Sequence, residues 1–142
     1  MNRATAIQLT YFLLRVVTGL LFMQVGGMKI LGWFGGVPAS MGGPPAVMSQ
    51  IWIGAMMELI GGALVLVGFL TRPVAFILAG EMAVAYFQFH QGNGFWPIQN
   101  QGEKAVLFCF VFLFISAYGA GIMSLDHAIW GKRTHVHSDA SS

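Results

Sequence analysis

The sequence predicts an all-α protein, a four-helix transmembrane bundle with both termini on the cytoplasmic side and two longer outer loops. Three observations predict it. Of the 142 residues, 56% are hydrophobic and only 8% are charged. Soluble domains carry roughly 25% charged residues, and a small domain exposes a large share of its surface, so lipid suits this composition better than water. The apolar residues fall into four runs, at about 7–31, 51–70, 73–90 and 104–123. Each is near the roughly 20 residues that cross a hydrocarbon core. Between the runs lie either Gly- and Pro-rich segments or a connection of two residues.

The first run contains Arg15, and no small-residue cleavage motif follows a clean apolar core. It reads as a retained helix rather than a signal peptide. The next segment carries Gly35-Gly36, Pro38 and Gly42-Gly43-Pro44-Pro45 and reads as a loop. Only Thr71-Arg72 separates the second run from the third, and Pro73 suits a first helical turn, so these two form an antiparallel pair. Gly92, Gly94 and Pro97 mark the second long loop. The fourth run is uncharged beyond its outer end. Residues 1–131 thus form one membrane domain, and the polar segment 132–142 reads as a disordered cytoplasmic tail.

Basic residues set the expected orientation. Arg3, Arg72, Lys132 and Arg133 fall on one side of a four-span layout, which the positive-inside rule makes cytoplasmic. Trp33, Trp52 and Trp96 then sit at the outer interface and Trp130 at the inner one, as an aromatic belt.

Several function classes recede. The net charge is +2, and no Lys/Arg cluster is large enough to track a nucleic-acid backbone. The lone Cys109, within Phe108-Cys109-Phe110, cannot form an internal disulfide and reads as a small buried hydrophobe. His135 and His137 make a poor metal site, and no metal is expected. No ligand set for haem, flavin or an iron–sulfur cluster is visible, so no intrinsic cofactor is expected.

The informative residues are charges inside the spans, because a mid-bilayer charge costs a few kcal/mol and usually faces the bundle with a partner. Arg15, Glu58 and Glu81 qualify. Counting about 1.5 Å per residue from the run ends suggests a buried Arg15–Glu81 pair with Glu58 nearby. Gly54, Gly61 and Gly62 share the face of Glu58, so it should point into a helix contact. Ala75, Ala79 and Ala83 form a second small-residue stripe. The three charges read either as a cluster that fixes helix register or as a proton path or ligand pocket. A second polar group, Lys29, His90, Glu103 and Lys104, gathers at the outer side, with Asn100 at cap-like spacing before Glu103. It reads either as helix-end structure or as an outer site.

At these residues the sequence resembles the DoxX family of small bacterial membrane proteins. The matching segments are Arg15 to Lys29 with Gly19, Phe22 and Gly26; Glu58-Leu59-Ile60-Gly61-Gly62 with Gly68 and Thr71; Gly80-Glu81-Met82; and His90. They continue with Gly102-Glu103-Lys104-Ala105, Gly119-Ala120-Gly121 and Ser124-Leu125-Asp126. The resemblance implies a four-helix bundle in the bacterial inner membrane and a link to membrane redox systems. DoxD-type relatives serve a thiosulfate:quinone oxidoreductase, and others associate with superoxide-detoxifying and sulfur-transfer proteins. MauE-type relatives work in disulfide chemistry, which a chain with one cysteine does not match.

The expected function is an accessory or quinone-facing subunit of a membrane redox or oxidative-stress complex, not an enzyme on its own. Quinone is the one candidate cofactor. Other membrane or redox subunits, or further copies of the chain, are the expected partners within the lipid bilayer. The alternatives are a non-catalytic scaffold that binds another membrane protein, and a small proton-coupled transporter. Any chemistry is expected among the first three helices and the outer loops.

Overall fold

The computed structural model describes residues 1–131, and all regular structure among them is helical. The sequence reading of the tail at 132–142, with His135 and His137, lies outside the described residues.

Helix α1 spans Arg3–Leu31 and starts earlier than the apolar run, because the Asn2 side chain accepts a hydrogen bond from the Thr5 amide at 2.8 Å and caps the first turn. It stops at Gly32, whose φ of 72° is left-handed. A loop with two single 3₁₀ turns, Trp33–Gly35 and Ala39–Met41, leads to α2, Gln50–Val67, which Ser49 caps through the Trp52 amide. Gly68 ends α2, and α3, Thr71–Ala85, follows after a tight turn. The helix then widens into a π-turn, Tyr86–His90, so the third run stays helical almost throughout. A second loop holds the short α4, Pro97–Asn100. Helix α5 covers Glu103–Tyr118, and α6 covers Leu125–Trp130.

The fourth run differs from its reading. Helix α5 ends at Tyr118 because Gly119 and Gly121 take positive φ values of 95° and 76°. The chain breaks there, and residues 119–124 turn back across the end of the bundle toward α6. Among the described residues two helices, α1 and α2, are long and apolar enough to cross a membrane, with mean hydropathies of 1.7 and 1.8 over 18 residues.

Helices α1 and α2 pack closely and antiparallel, and α3 packs on α5. Glycine explains the first pair. A Cβ on Gly19 would lie 2.6 Å from the Leu66 amide nitrogen, one on Gly26 would lie 2.3 Å from that of Leu59, and one on Gly62 would lie 2.5 Å from that of Met23. The two backbones therefore touch, which only glycine allows. Of the small-residue stripe on α3, Ala75 and Ala79 are buried and Ala83 is half-buried. The core is completed by Val65, Leu78, Phe112 and Ile115. The outside carries large apolar side chains such as Phe76, Ile77, Phe87, Leu107 and Phe110, while Arg15, Thr18, Glu58, Thr71 and Asn100 lie inside.

Candidate functional site

The polar interior divides into two sites at opposite ends of the bundle. The α2–α3 turn sets the division. Glu58 lies ten residues before Gly68, and Glu81 lies ten residues after Thr71. At about 1.5 Å per residue, both stand about 15 Å above that turn. Arg15 stands at the turn itself, because Gly19 on α1 already meets Leu66 near the end of α2.

This overturns the expected Arg15–Glu81 pair. The Arg15 guanidinium is 1% exposed and donates from Nη1 to the Val65 and Leu66 carbonyls, both at 2.8 Å, and from Nη2 to the Met123 carbonyl at 2.5 Å. It satisfies the free carbonyls at the end of α2 and holds the chain that follows α5. Distance from the start of α1 does not measure height in the bundle, because α1 extends several turns past the end of α2. Asp126 complements Arg15. Its carboxylate accepts the Leu70 amide at 2.7 Å and the Thr71 amide at 2.9 Å, capping α3. Together they clamp both sides of the turn. In the sequence Asp126 stands out only within Ser124-Leu125-Asp126, and nothing around it marks the partner helix.

The second site is a cavity of about 650 Å³ between α1, α2, α3 and α5. Phe22, Met57, Met82 and Phe108 contribute apolar wall, and Lys29, Glu58, Glu81, His90 and Lys104 are its ionisable lining. Members of the two groups separated in the sequence reading therefore meet here, without Arg15 and Glu103. Lys29 Nζ lies 2.8 and 2.9 Å from the two carboxylate oxygens of Glu58, and the Glu58 side chain is only 8% exposed. The pairing follows from the glycine seam: with Gly26 against Leu59, Lys29 comes level with Glu58 one turn further out. Glu81 reaches from α3 toward Gly54 of α2, where a Cβ would lie 3.1 Å from its Oε1. Its Oε2 is buried without a hydrogen-bond partner.

The remaining outer residues sort differently. His90 lines the cavity, and its Nδ1 lies 3.0 Å from the Asn100 carbonyl. Lys104 is exposed at the mouth. Glu103 is exposed in the first turn of α5 and does not line the cavity. Asn100 does not cap α5. Its side chain instead accepts the Gly102 amide at 2.8 Å and donates to the Gly94 carbonyl at 2.7 Å and the Tyr86 hydroxyl at 3.2 Å, so it ties the loop to the π-turn. The fourth run, read as packing, supplies Lys104, Ala105 and Phe108 to the wall. Gln50, which the sequence did not single out, also lines the cavity, and its amide bonds Gln88 across the gap between α2 and α3.

The DoxX family model matches residues 10–91, which carry Arg15, Lys29, Glu58, Glu81 and His90. The chain belongs to the DoxX family. An uncharacterized protein of Haemophilus influenzae is 40% identical over 129 residues, covering 86% of this chain and 93% of that protein. The inner membrane protein YphA of Escherichia coli is 30% identical over 119 residues, covering 79% of this chain and 84% of YphA. No solved structure matches. For this DoxX protein the motif residues now have physical tasks. Gly19, Gly26 and Gly62 let α1 and α2 touch, Arg15 and Asp126 clamp a turn, and Glu58 and Glu81 face one cavity.

Proposed function

We propose that this DoxX protein is a multi-pass protein of the bacterial inner membrane that binds a lipid-soluble quinone in its outer cavity, as an accessory subunit of a membrane redox assembly. The inner-membrane name of the Escherichia coli relative, the apolar exterior and the two long apolar helices support the location. In this reading the third and fourth runs also cross, giving four spans with both termini inside, and partner subunits supply the electrons.

The observation that carries the reading is the cavity. Its wall is mostly apolar, and its few ionisable groups converge from four helices, as a site for an amphiphile requires. A quinone has that division: an apolar tail and ring, with polar oxygens on the head. Lys29 and His90 are placed to meet a head oxygen, and Glu81 is placed to exchange a proton with it. Arg15 takes no part, since carbonyls occupy it at the other end.

Purification in mild detergent followed by solvent extraction tests the reading. The wild type should retain quinone, and the double variant Lys29→Met/Glu58→Leu should lose it. The double change removes the ion pair without stranding a buried charge, so the fold should survive. Equal quinone in both, or none in the wild type, contradicts the proposal. A second reading, a small proton-coupled carrier, draws on the equal height of Glu58 and Glu81 on neighbouring helices. Flux in proteoliposomes that Glu81→Gln abolishes would favour it.

A further inference from the structure

The two cavity carboxyls are not equivalent. Both oxygens of Glu58 are held by Lys29, at 2.9 and 2.8 Å. Glu81 makes no hydrogen bond or ion pair among the described residues, and its Oε2 is enclosed by the fold. A carboxyl in apolar surroundings without a partner is costly, and native structures seldom leave one so. Its other oxygen, Oε1, is not enclosed and has no partner either; the side chain lines a cavity large enough for a ring head, so a ligand can provide there what the protein does not.

The chemistry of Glu81 narrows the ligand. A carboxylate accepts hydrogen bonds only, whereas the protonated acid donates one and accepts others. A carbonyl oxygen on the ligand can satisfy only the acid. A hydroxyl both donates and accepts, so it satisfies Glu81 in either state. The rest of the wall is consistent with an oxygen-bearing head. Two of the three Lys29 ammonium hydrogens are committed to Glu58, which leaves one donor for a ligand oxygen.

Resting on the quinone reading above, we infer that the cavity selects the reduced form: a phenolic hydroxyl of a quinol bonds Glu81, and the quinol binds more tightly than its quinone. The two forms have nearly the same size and the same tail, so the apolar wall does not distinguish them. The discrimination belongs to Glu81. Glu58 has both oxygens on Lys29 and a side chain only 8% exposed, so it offers a ligand less than Glu81 does.

Anaerobic calorimetry on the full chain in lipid nanodiscs tests this, with decylubiquinol and decylubiquinone as probes. For the wild type, the quinol should bind about tenfold more tightly, the equivalent of one hydrogen bond to a buried carboxyl. Glu81→Leu should bring the two affinities together mainly by weakening the quinol. Glu81→Gln is nearly isosteric and always carries a donor, which a quinone carbonyl can accept, so it should narrow the preference by strengthening the quinone. Equal affinities in the wild type, or a preference for the quinone, would overturn the inference while leaving quinone binding intact. A preference that survives in both variants would also overturn it. Binding of neither form to folded wild type would overturn the inference together with the reading on which it rests.

Discussion

Arg15 and Glu81 are the two residues whose roles diverge most from their appearance in the sequence. Both are ionisable groups in apolar runs, and composition cannot separate them. The structure gives Arg15 three backbone carbonyls and gives Glu81 a cavity. Removing Arg15 strands buried acceptors at the end of α2, so Arg15→Leu should lower stability by about 3 kcal/mol. Arg15→Lys should not rescue it fully, since an ammonium lacks the planar fork that serves several carbonyls at once. Glu81→Gln, by contrast, breaks no bond in the fold and should change stability by less than about 1 kcal/mol. Thermal unfolding in one detergent compares the three variants directly, and equal losses for Arg15→Leu and Glu81→Gln would show Glu81 to be structural. Residue type and spacing were enough to nominate Arg15, Glu58, Glu81, Lys29 and His90. Pairing was not legible, because it depends on relative helix heights, and the apolar runs do not end where the helices do. The tight turn held the missing scale: counting outward from Gly68 and Thr71 places Glu58 and Glu81 level.

Among the elements, close helix contacts around α2 are visible in the sequence, but the partner of each is not. Glycine at 54, 61 and 62 around Glu58 signals close helix contacts: Gly62 meets Gly19 and Met23 of α1, while Gly54 and Gly61 face Glu81 and Leu78 of α3. The seam gives two opposite expectations. Gly62→Val forces a side chain into the α1 backbone, where Cβ alone would lie 2.5 Å from the Met23 amide nitrogen, and should cost about 2–3 kcal/mol. Gly80→Ala, on α3 with nothing within 4 Å of the new Cβ, should instead stabilise by about 0.5–1 kcal/mol through helix propensity. Urea-induced unfolding in mixed micelles measures both, and a stabilising Gly62→Val would refute the seam. Helix ends were less legible. The run at 104–123 looked continuous, yet Gly119 and Gly121 break it, and a hydropathy pattern does not register positive φ. Asn100 looked like a helix cap, but Tyr86 and Gly94 compete for its side chain, and those contacts depend on the loop's path.

The molecule follows an inverted plan, with large apolar side chains outside and Arg15 and Glu58 buried within. The fourfold crossing proposed above would put both long loops on one side of the membrane. Single cysteines, introduced in a Cys109→Ala background, check it. Residues 39 and 93 in the loops should react with an impermeant maleimide on intact cells. Residues 4 and 127 should react only after permeabilisation, and the opposite pattern would reverse the orientation. The turn-side clamp, from Arg15, Asp126 and the turn between α2 and α3, closes one end of the bundle. The cavity occupies the other end, and the central claim is that a quinone-class ligand fills it. Ala85 lies on the cavity wall and is partly buried, so Ala85→Phe should fill the space without removing a polar group. The decisive measurement is the dissociation constant of decylubiquinol for wild type and Ala85→Phe in nanodiscs, with thermal unfolding as a check on folding. The cavity account requires saturable binding by the wild type and a loss of at least about tenfold in the filled variant. Equal affinity in both, with each protein folded, would place the ligand elsewhere and contradict it.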